Sequence, residues 1–171
     1  MLDSSILIRP IQESDAEEFL KLCNRLDEET SFRMLEPGER QTTVEEQRRS
    51  LREVLAYDNQ IILVAEQQGR LIGYLGAYGG KYHRNRHSVY IVVAVLQAFT
   101  SRGIGTQLFV ELERWALERE IHRLELTVMT YNQVAIALYK KMGFEIEGLK
   151  RHSLNVDGVF VDEYLMSRLL T

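Results

Sequence analysis

The chain has 171 residues, enough for one domain with a sizeable core, so residues 1–171 are read as a single unit. Hydrophobic residues at 45% and charged residues at 27% describe an ordinary globular protein. A net charge of −4 lacks the clustered Lys and Arg that a nucleic-acid backbone requires, and the basic run Lys81 to Arg86 reads as a solvated loop.

No apolar stretch is long enough to span a bilayer, and Met1–Ser5 lacks a basic region followed by a long apolar one. These features predict a cytoplasmic protein with no membrane partner. Cys23 is the single cysteine, so no intramolecular disulfide forms, and it falls on a helix face that reads as core. With no CxxC or HExxH motif and no ligand-like spacing among the four His, no metal is expected.

Residues 5–11 read as a strand. Ser14-Asp15-Ala16-Glu17 has the form of a capping box and predicts a helix with Phe19, Leu22, Cys23 and Leu26 inward. Residues 29–42 form a polar loop broken by Pro37-Gly38, and Thr43-Val44-Glu45-Glu46 is a second capping box opening a helix to about Ala56. Strands are expected at 60–67, 70–78 and 87–96, the first two joined by Gln68-Gly69. A helix with Leu108, Leu112, Trp115 and Ala116 on one face follows, then a strand at 123–129. Asn132 is placed to cap a helix through Met142 that Gly143 ends. Two last strands flank Asp157-Gly158, a strong hairpin signal.

The segment Thr100-Ser101-Arg102-Gly103-Ile104-Gly105 links the apolar run Val89–Leu96 to that helix. A buried strand, a short loop with two glycines and a helix start make an anion cradle, since glycine admits a close ligand and free amides face its charge. A dinucleotide fingerprint would need a third glycine where Leu108 stands, and an ATP-type loop would need Gly-Lys-Ser/Thr, which is absent.

The cradle is similar to the acyl-CoA loop of the GCN5-related N-acetyltransferases. A second block, Asn132, Ala135 and Leu138-Tyr139-Lys140-Lys141-Met142-Gly143-Phe144, resembles that family's N-x-x-A-x-x-L-Y-x-x-x-G-F segment. The resemblance runs from about Ile6 to the C-terminus. It implies a mixed α/β fold of order β-α-α-β-β-β-α-β-α-β-β, whose central sheet splays at the cofactor site. The segments His122–Val128 and Gly158–Tyr164 look like the branch that includes acetyltransferases of free amino acids and of ribosomal-protein N-termini.

The resemblance implies acetyl-CoA as co-substrate, with pyrophosphate contacts from Thr100, Ser101, Arg102, Gly103, Ile104 and Gly105 and from the Thr106 hydroxyl. The family favours Gln or Arg at the Thr100 position, Gly at Ser101 and Pro at Gln97. Val93 and Val95 match the strand positions whose backbone faces the pantetheine and acetyl group, often at a bulge. Asn132 caps its helix and bonds the cofactor in this reading.

Amide formation from a thioester needs a neutral amine, a donor to the developing oxyanion and a proton for the leaving thiolate. Tyr139 matches the family's tyrosine near the cofactor sulfur and is the expected general acid. Many members carry Glu where Tyr90 stands, which leaves His83, His87, Glu36 or a water as the base. Arg33, Met34 and Glu36 in the polar loop, with Tyr78 and Tyr90 on strands, are the expected acceptor contacts.

The sequence thus predicts acetyl transfer to a primary amine of a small molecule (an amino acid or polyamine) or of a peptide N-terminus. The contrasting reading is an idle acyl-CoA-binding sensor or assembly module. Homodimers often form in this fold through C-terminal strands, and Leu165, Met166, Leu169 and Leu170 serve either that contact or the chain's own core.

Overall fold

A computed structural model describes residues 5–171; Met1–Ser4, most of the segment read as non-secretory, lies outside them. Seven strands form one sheet in the order β1-β2-β3-β4-β5-β7-β6. They are β1 (Ile6–Pro10), β2 (Gln60–Gln67), β3 (Arg70–Gly79), β4 (Ser88–Val95), β5 (Arg123–Met129), β6 (Glu145–Val156) and β7 (Val159–Leu169). The helices are α1 (Ala16–Glu29), α2 (Val44–Leu55), α3 (Ile104–Glu118) and α4 (Gln133–Lys141). The expected element order holds throughout.

Seven consecutive residues of β3, Leu71–Ala77, are buried, so both faces of the sheet are covered there. The α1–α2 pair packs on one face, where Phe19 meets Tyr74 edge-on at 5.0 Å between ring centres. Helix α3 packs across β1 to β4 on the other. Leu51, Val64, Leu75, Leu96, Leu108 and Leu112 belong to one continuous core. Gln68-Gly69 and Asp157-Gly158 both have positive φ at their two central residues, the turn geometry that matches strand twist, and each closes its hairpin as expected.

The second capping box is present: Thr43 Oγ1 accepts from the Glu46 amide at 3.1 Å, and the Glu46 carboxylate accepts from the Thr43 amide at 3.2 Å. The first is not. Arg9 holds both oxygens of Asp15, at 2.8 and 2.9 Å, and the Gln12 amide donates to the same carboxylate at 2.7 Å. That ion pair tightens residues 13–15 into a 3-10 turn, and α1 starts at Ala16 without a cap from Ser14.

All neighbouring strands are antiparallel except β4 and β5. That parallel pair registers only at Ser88↔Arg123, Val89↔Leu124 and Tyr90↔Glu125. Beyond Tyr90 the two strands part. The sheet therefore contains a gap between Ile91–Val95 and Leu126–Met129, while β3 and β7 hold the outer edges in register.

The C-terminal leucines divide by alternation. Met166 and Leu170 are buried in the core, and Leu169 is exposed.

Candidate active site

The orientation of the backbone along the gap follows from the flanking ladders. The Leu96 amide donates to Ile72 O, and Gly80 donates to Ser88 O, so the even residues of β4 bond to β3. The amides and carbonyls of Val93 and Val95 consequently point away from β3, into the gap. On the other side, Leu170 N to His122 O and Thr130 N to Asp162 O commit the even residues of β5 to β7. Thr127 and Met129 thus turn their backbone groups to the same space. The expected bulge is absent: β4 runs from Val89 to Val95 against β3 without a register shift. Early parting of β4 and β5 leaves the Val93 and Val95 amides free without one.

The cradle lies at the C-terminal end of β4. Gly103 caps α3 at φ +81°, a left-handed conformation that glycine adopts without strain. The first amide satisfied within the helix is Gln107, donating to Gly103 O at 3.0 Å. The amides of Gly103, Ile104, Gly105 and Thr106 are the orphan donors of the helix start, with the positive end of its dipole behind them. Gly105 has a second role: a Cβ there would sit 2.9 Å from Leu138 Cδ2, so its absence lets α3 approach α4. Arg102 stacks its guanidinium over Phe99 at 5.2 Å, at the cradle's rim.

Thr100 is committed elsewhere. Its amide and its hydroxyl both donate to Gln97 O, at 3.2 and 2.8 Å, closing a 3-10 turn over Gln97–Phe99. Ser101 takes φ +62°, which explains why glycine is favoured at that position in the resembling family. Gln97, where that family favours Pro, donates its amide to Glu29 Oε2 at 2.9 Å and its side chain to Glu29 O, bonds that tie β4 to the end of α1.

Asn132 caps α4, its side-chain oxygen accepting from the Ala135 amide at 3.3 Å. Lys141, the last residue of α4, donates to Thr106 Oγ1 at 3.3 Å, which places a cation beside the cradle. Tyr139 is buried between Phe109 and Phe144, with ring centres 5.9 and 6.1 Å away. Its hydroxyl has no hydrogen-bond partner among the described residues, and burial pushes its pKa up to about 12. At neutral pH the phenol is a fully protonated donor with nothing to donate to. Beyond Met142, Gly143 at φ +90° lets Phe144 N return to Tyr139 O and ends the helix.

Tyr90 stands where the strands begin to part, its hydroxyl 2.8 Å from Thr127 Oγ1. His83 and His87 lie before β4, at its closed end, and are not brought to the gap. Tyr78 lies over Gly76, whose missing Cβ makes room for the phenol; burial raises its pKa. It sits with Tyr74, Cys23 and Arg33 under α1 rather than in an open cleft. Cys23 is 3% exposed, and burial pushes its thiol up, so it is unreactive core packing.

Arg33, Met34 and Glu36 do come together. They line a groove of about 600 Å³ whose opposite wall is Met129 with Leu154–Asp157 of the final hairpin. Met129 joins this groove to the gap, because its backbone faces the gap. Phe32 packs on Tyr131 at 5.3 Å, and Tyr131 donates to Met129 Sδ at 3.3 Å, which fixes the loop against the end of β5. The sequence reading missed Thr127, Met129, Tyr131 and the hairpin tip as parts of this region. Only Tyr131, an aromatic in a polar turn just before a helix cap, carried a local signal.

A parted parallel strand pair with a free-amide helix start at one end and a protonated tyrosine on the next helix defines an acyl-transfer fold. The model of the acetyltransferase (GNAT) family matches residues 23–144. The chain belongs to that family and is an N-acetyltransferase. It is 35% identical over 112 residues to the L-amino acid N-acetyltransferase AaaT of Escherichia coli, covering 63% of this chain and 67% of that protein. It is also 35% identical over 105 residues to the N-alpha-acetyltransferase RimI of Mycobacterium tuberculosis, covering 61% and 63% of the two chains. The alignment thus spans about two thirds of each of these relatives. Among solved structures, a GNAT-family acetyltransferase from Streptococcus pneumoniae superposes with a TM-score of 0.92 at 34% identity, covering 97% of this chain and 99% of that one.

Proposed function

We propose that the chain, acting as a single domain, transfers acetyl from acetyl-CoA directly to a primary amine of a small molecule, with an amino acid or polyamine ahead of a peptide N-terminus. The observation that carries this is the parting of β4 from β5 after Tyr90, with the four orphan amides of Gly103–Thr106 at its end. Four convergent donors at a helix start suit a pyrophosphate. Arg102 and Lys141 add positive charge at the rim, and the free Asn132 amide group adds a donor. The upturned amides of Val93 and Val95 suit a pantetheine chain laid along β4 as an extra strand partner. An acetyl thioester so placed supplies the activated carbonyl.

Each side chain then has a defined task. An inward amide of β4 polarises the carbonyl and stabilises charge on its oxygen. Tyr139 acts as the general acid beside the sulfur. A phenol held near 12 is a weaker acid than a thiol of about 8.5, so its help takes the form of a hydrogen bond that strengthens as sulfur gains charge. Its apolar wall of Phe109 and Phe144 makes that bond stronger than it would be in water. The acceptor enters by the groove of Arg33, Met34 and Glu36. Of His83, His87 and Glu36, Glu36 alone lines that groove, and it takes the amine's proton directly or through water. Tyr90, held by Thr127, orients the amine at the opening.

A cytoplasmic site of action fits this chemistry, and pairing through the exposed side of β6 and β7 gives a homodimer, which light scattering at micromolar concentration tests. The activity itself is tested by thiol release from acetyl-CoA against a panel of amines. Turnover with at least one amine supports the reading. Calorimetric binding of acetyl-CoA without turnover of any amine would mark the chain as a binding module instead.

A further inference from the structure

Beneath the loop between α1 and α2 lies an ion cluster that is out of balance. Asp27, with its side chain 3% exposed, accepts from Arg40 Nε at 2.7 Å, from Arg40 Nη2 at 3.3 Å and from Arg33 Nε at 3.3 Å. One carboxylate therefore serves two guanidinium groups, and Arg40 holds it more closely. Arg33 spends Nη1 on the Tyr74 hydroxyl, at 2.9 Å, and stacks on the same ring. Its Nη2 donates to no oxygen of the described residues.

Among the described residues no second carboxylate pairs with Arg33. The Tyr74 phenol and the Cys23 thiol are both held neutral by burial, which raises each above its ordinary value. Glu28, Glu29, Glu36 and Glu39 line the adjoining groove, yet none lies within ion-pair distance of Arg33. A guanidinium that is mostly desolvated and only partly compensated favours any anion that can reach it. It is reached from the groove: the side chain is 11% exposed, and Arg33 is one of the groove's walls.

We infer that Arg33 is the anchor for a carboxylate carried by the acceptor, so that the acceptor is a free amino acid rather than a polyamine or a peptide N-terminus. This rests on the acetyltransferase reading of the same groove and narrows its substrate class. The geometry suits a zwitterion: one guanidinium that shares its carboxylate with a second arginine, with the unpaired carboxylates of Glu28, Glu36 and Asp157 on the other walls to attract an ammonium group. A polyamine would bring a second cation to Arg33 and leave its Nη2 without an oxygen to donate to. A peptide N-terminus would bring an amide where the carboxylate belongs.

The test uses matched trios, each an amino acid, its carboxamide and its decarboxylated amine, with polyamines as a further arm. Thiol release and calorimetric binding to the CoA-loaded protein are both measured. For wild type, at least one acid should exceed its carboxamide and amine in kcat/KM by about 10- to 100-fold, the range set by a hydrogen bond to a charged group. Arg33→Gln leaves Asp27 and Arg40 as a one-to-one pair, so the fold should hold. That variant should lose the preference for the acid, its kcat/KM for the acid falling to that for the carboxamide or below, and should bind acetyl-CoA as wild type does.

Equal turnover of acid and carboxamide by wild type would overturn the inference while leaving the acetyltransferase reading intact. So would failure of every acid to bind or react while a polyamine is acetylated. An Arg33→Gln protein that retains the acid preference would overturn it too. Failure to bind acetyl-CoA at all would instead sink the underlying reading.

Discussion

The hydroxyls of Tyr90 and Thr127 meet at 2.8 Å across the point where β4 and β5 separate. Below that contact the strands pair; above it their inward backbone groups are free. The bond joins two strands that no ladder joins there, and it fixes a half-exposed phenol at the floor of the opening. Tyr90→Phe and Thr127→Val each remove one partner with little change in shape. Each should raise the acceptor KM several-fold and leave acetyl-CoA affinity unchanged. In a double-mutant cycle on stability the coupling should be about 1 kcal/mol or less, the usual net worth of such a bond. Additive effects on both KM and stability would show that the two hydroxyls act independently.

Tyr139→Phe should lower kcat by a factor of about a hundred or more, as loss of a donor to developing charge does, without loss of stability. Stability is spared because the hydroxyl bonds to no described residue and the ring keeps Phe109 and Phe144. The raised pKa also has a linkage consequence. The unfolded phenol ionises near 10 and the folded one near 12, so the native state binds more protons between those values. The stabilisation is fully present below pH 10 and is lost as pH rises through 12, by up to about 3 kcal/mol for a two-unit shift. Denaturant titrations of wild type and Tyr139→Phe at pH 9 and pH 11 should diverge accordingly, with the Phe variant losing less.

Gly103 separates charge from conformation. Asn and Asp both tolerate positive φ better than most side chains and are nearly the same size. Gly103→Asn and Gly103→Asp should therefore destabilise the fold alike. Only the carboxylate opposes phosphate, so acetyl-CoA affinity should fall at least several-fold further in Gly103→Asp. Equal affinities for the two variants by calorimetry would remove the pyrophosphate from the α3 start.

Ser101 holds φ +62° without being glycine. A left-handed residue with a Cβ costs about 1–2 kcal/mol, and glycine's extra freedom in the unfolded chain returns about 0.5–1 of that. Ser101→Gly should thus stabilise the protein by up to about 1 kcal/mol in chemical denaturation and leave acetyl-CoA binding intact. A loss of stability would mean that the Ser101 hydroxyl contributes something to the loop.

Ser153 lies in the irregular stretch of β6 between Lys150 and Leu154, beside His152 at φ +50°. Its hydroxyl is buried with no hydrogen-bond partner. An unsatisfied buried group carries a desolvation cost of about 1–3 kcal/mol. Ser153→Ala should accordingly be neutral or stabilising in a urea titration, against the usual direction for a buried substitution.

The sequence by itself determined the element order, the cradle and the helix carrying Tyr139, because each is written in local terms. Two glycines at a helix start, an Asn cap, a Gly stop and apolar spacing of 3.6 or 2 residues act within one or two turns of chain. Even so, a long-range partner could overrule a local pattern. Asp15, drawn to Arg9 on β1, moved the start of α1 away from Ser14. Thr100, which read as cradle, was claimed by a 3-10 turn, and Gln97, just past the expected strand, by Glu29.

Only the tertiary structure decided the acceptor side. Arg33 stands 41 residues from Tyr74, and the groove's opposite wall comes from a hairpin more than a hundred residues further along the chain. No periodicity records that Asp27 answers two arginines, that Tyr78 turns under α1, or that β4 and β5 keep only three registered pairs. Those facts depend on how burial and charge balance once separate elements are pressed together. A cofactor loop is fixed by backbone conformation, which neighbouring residues dictate; a groove for an amine is fixed by which side chains are left without partners, and that is settled only in the folded protein.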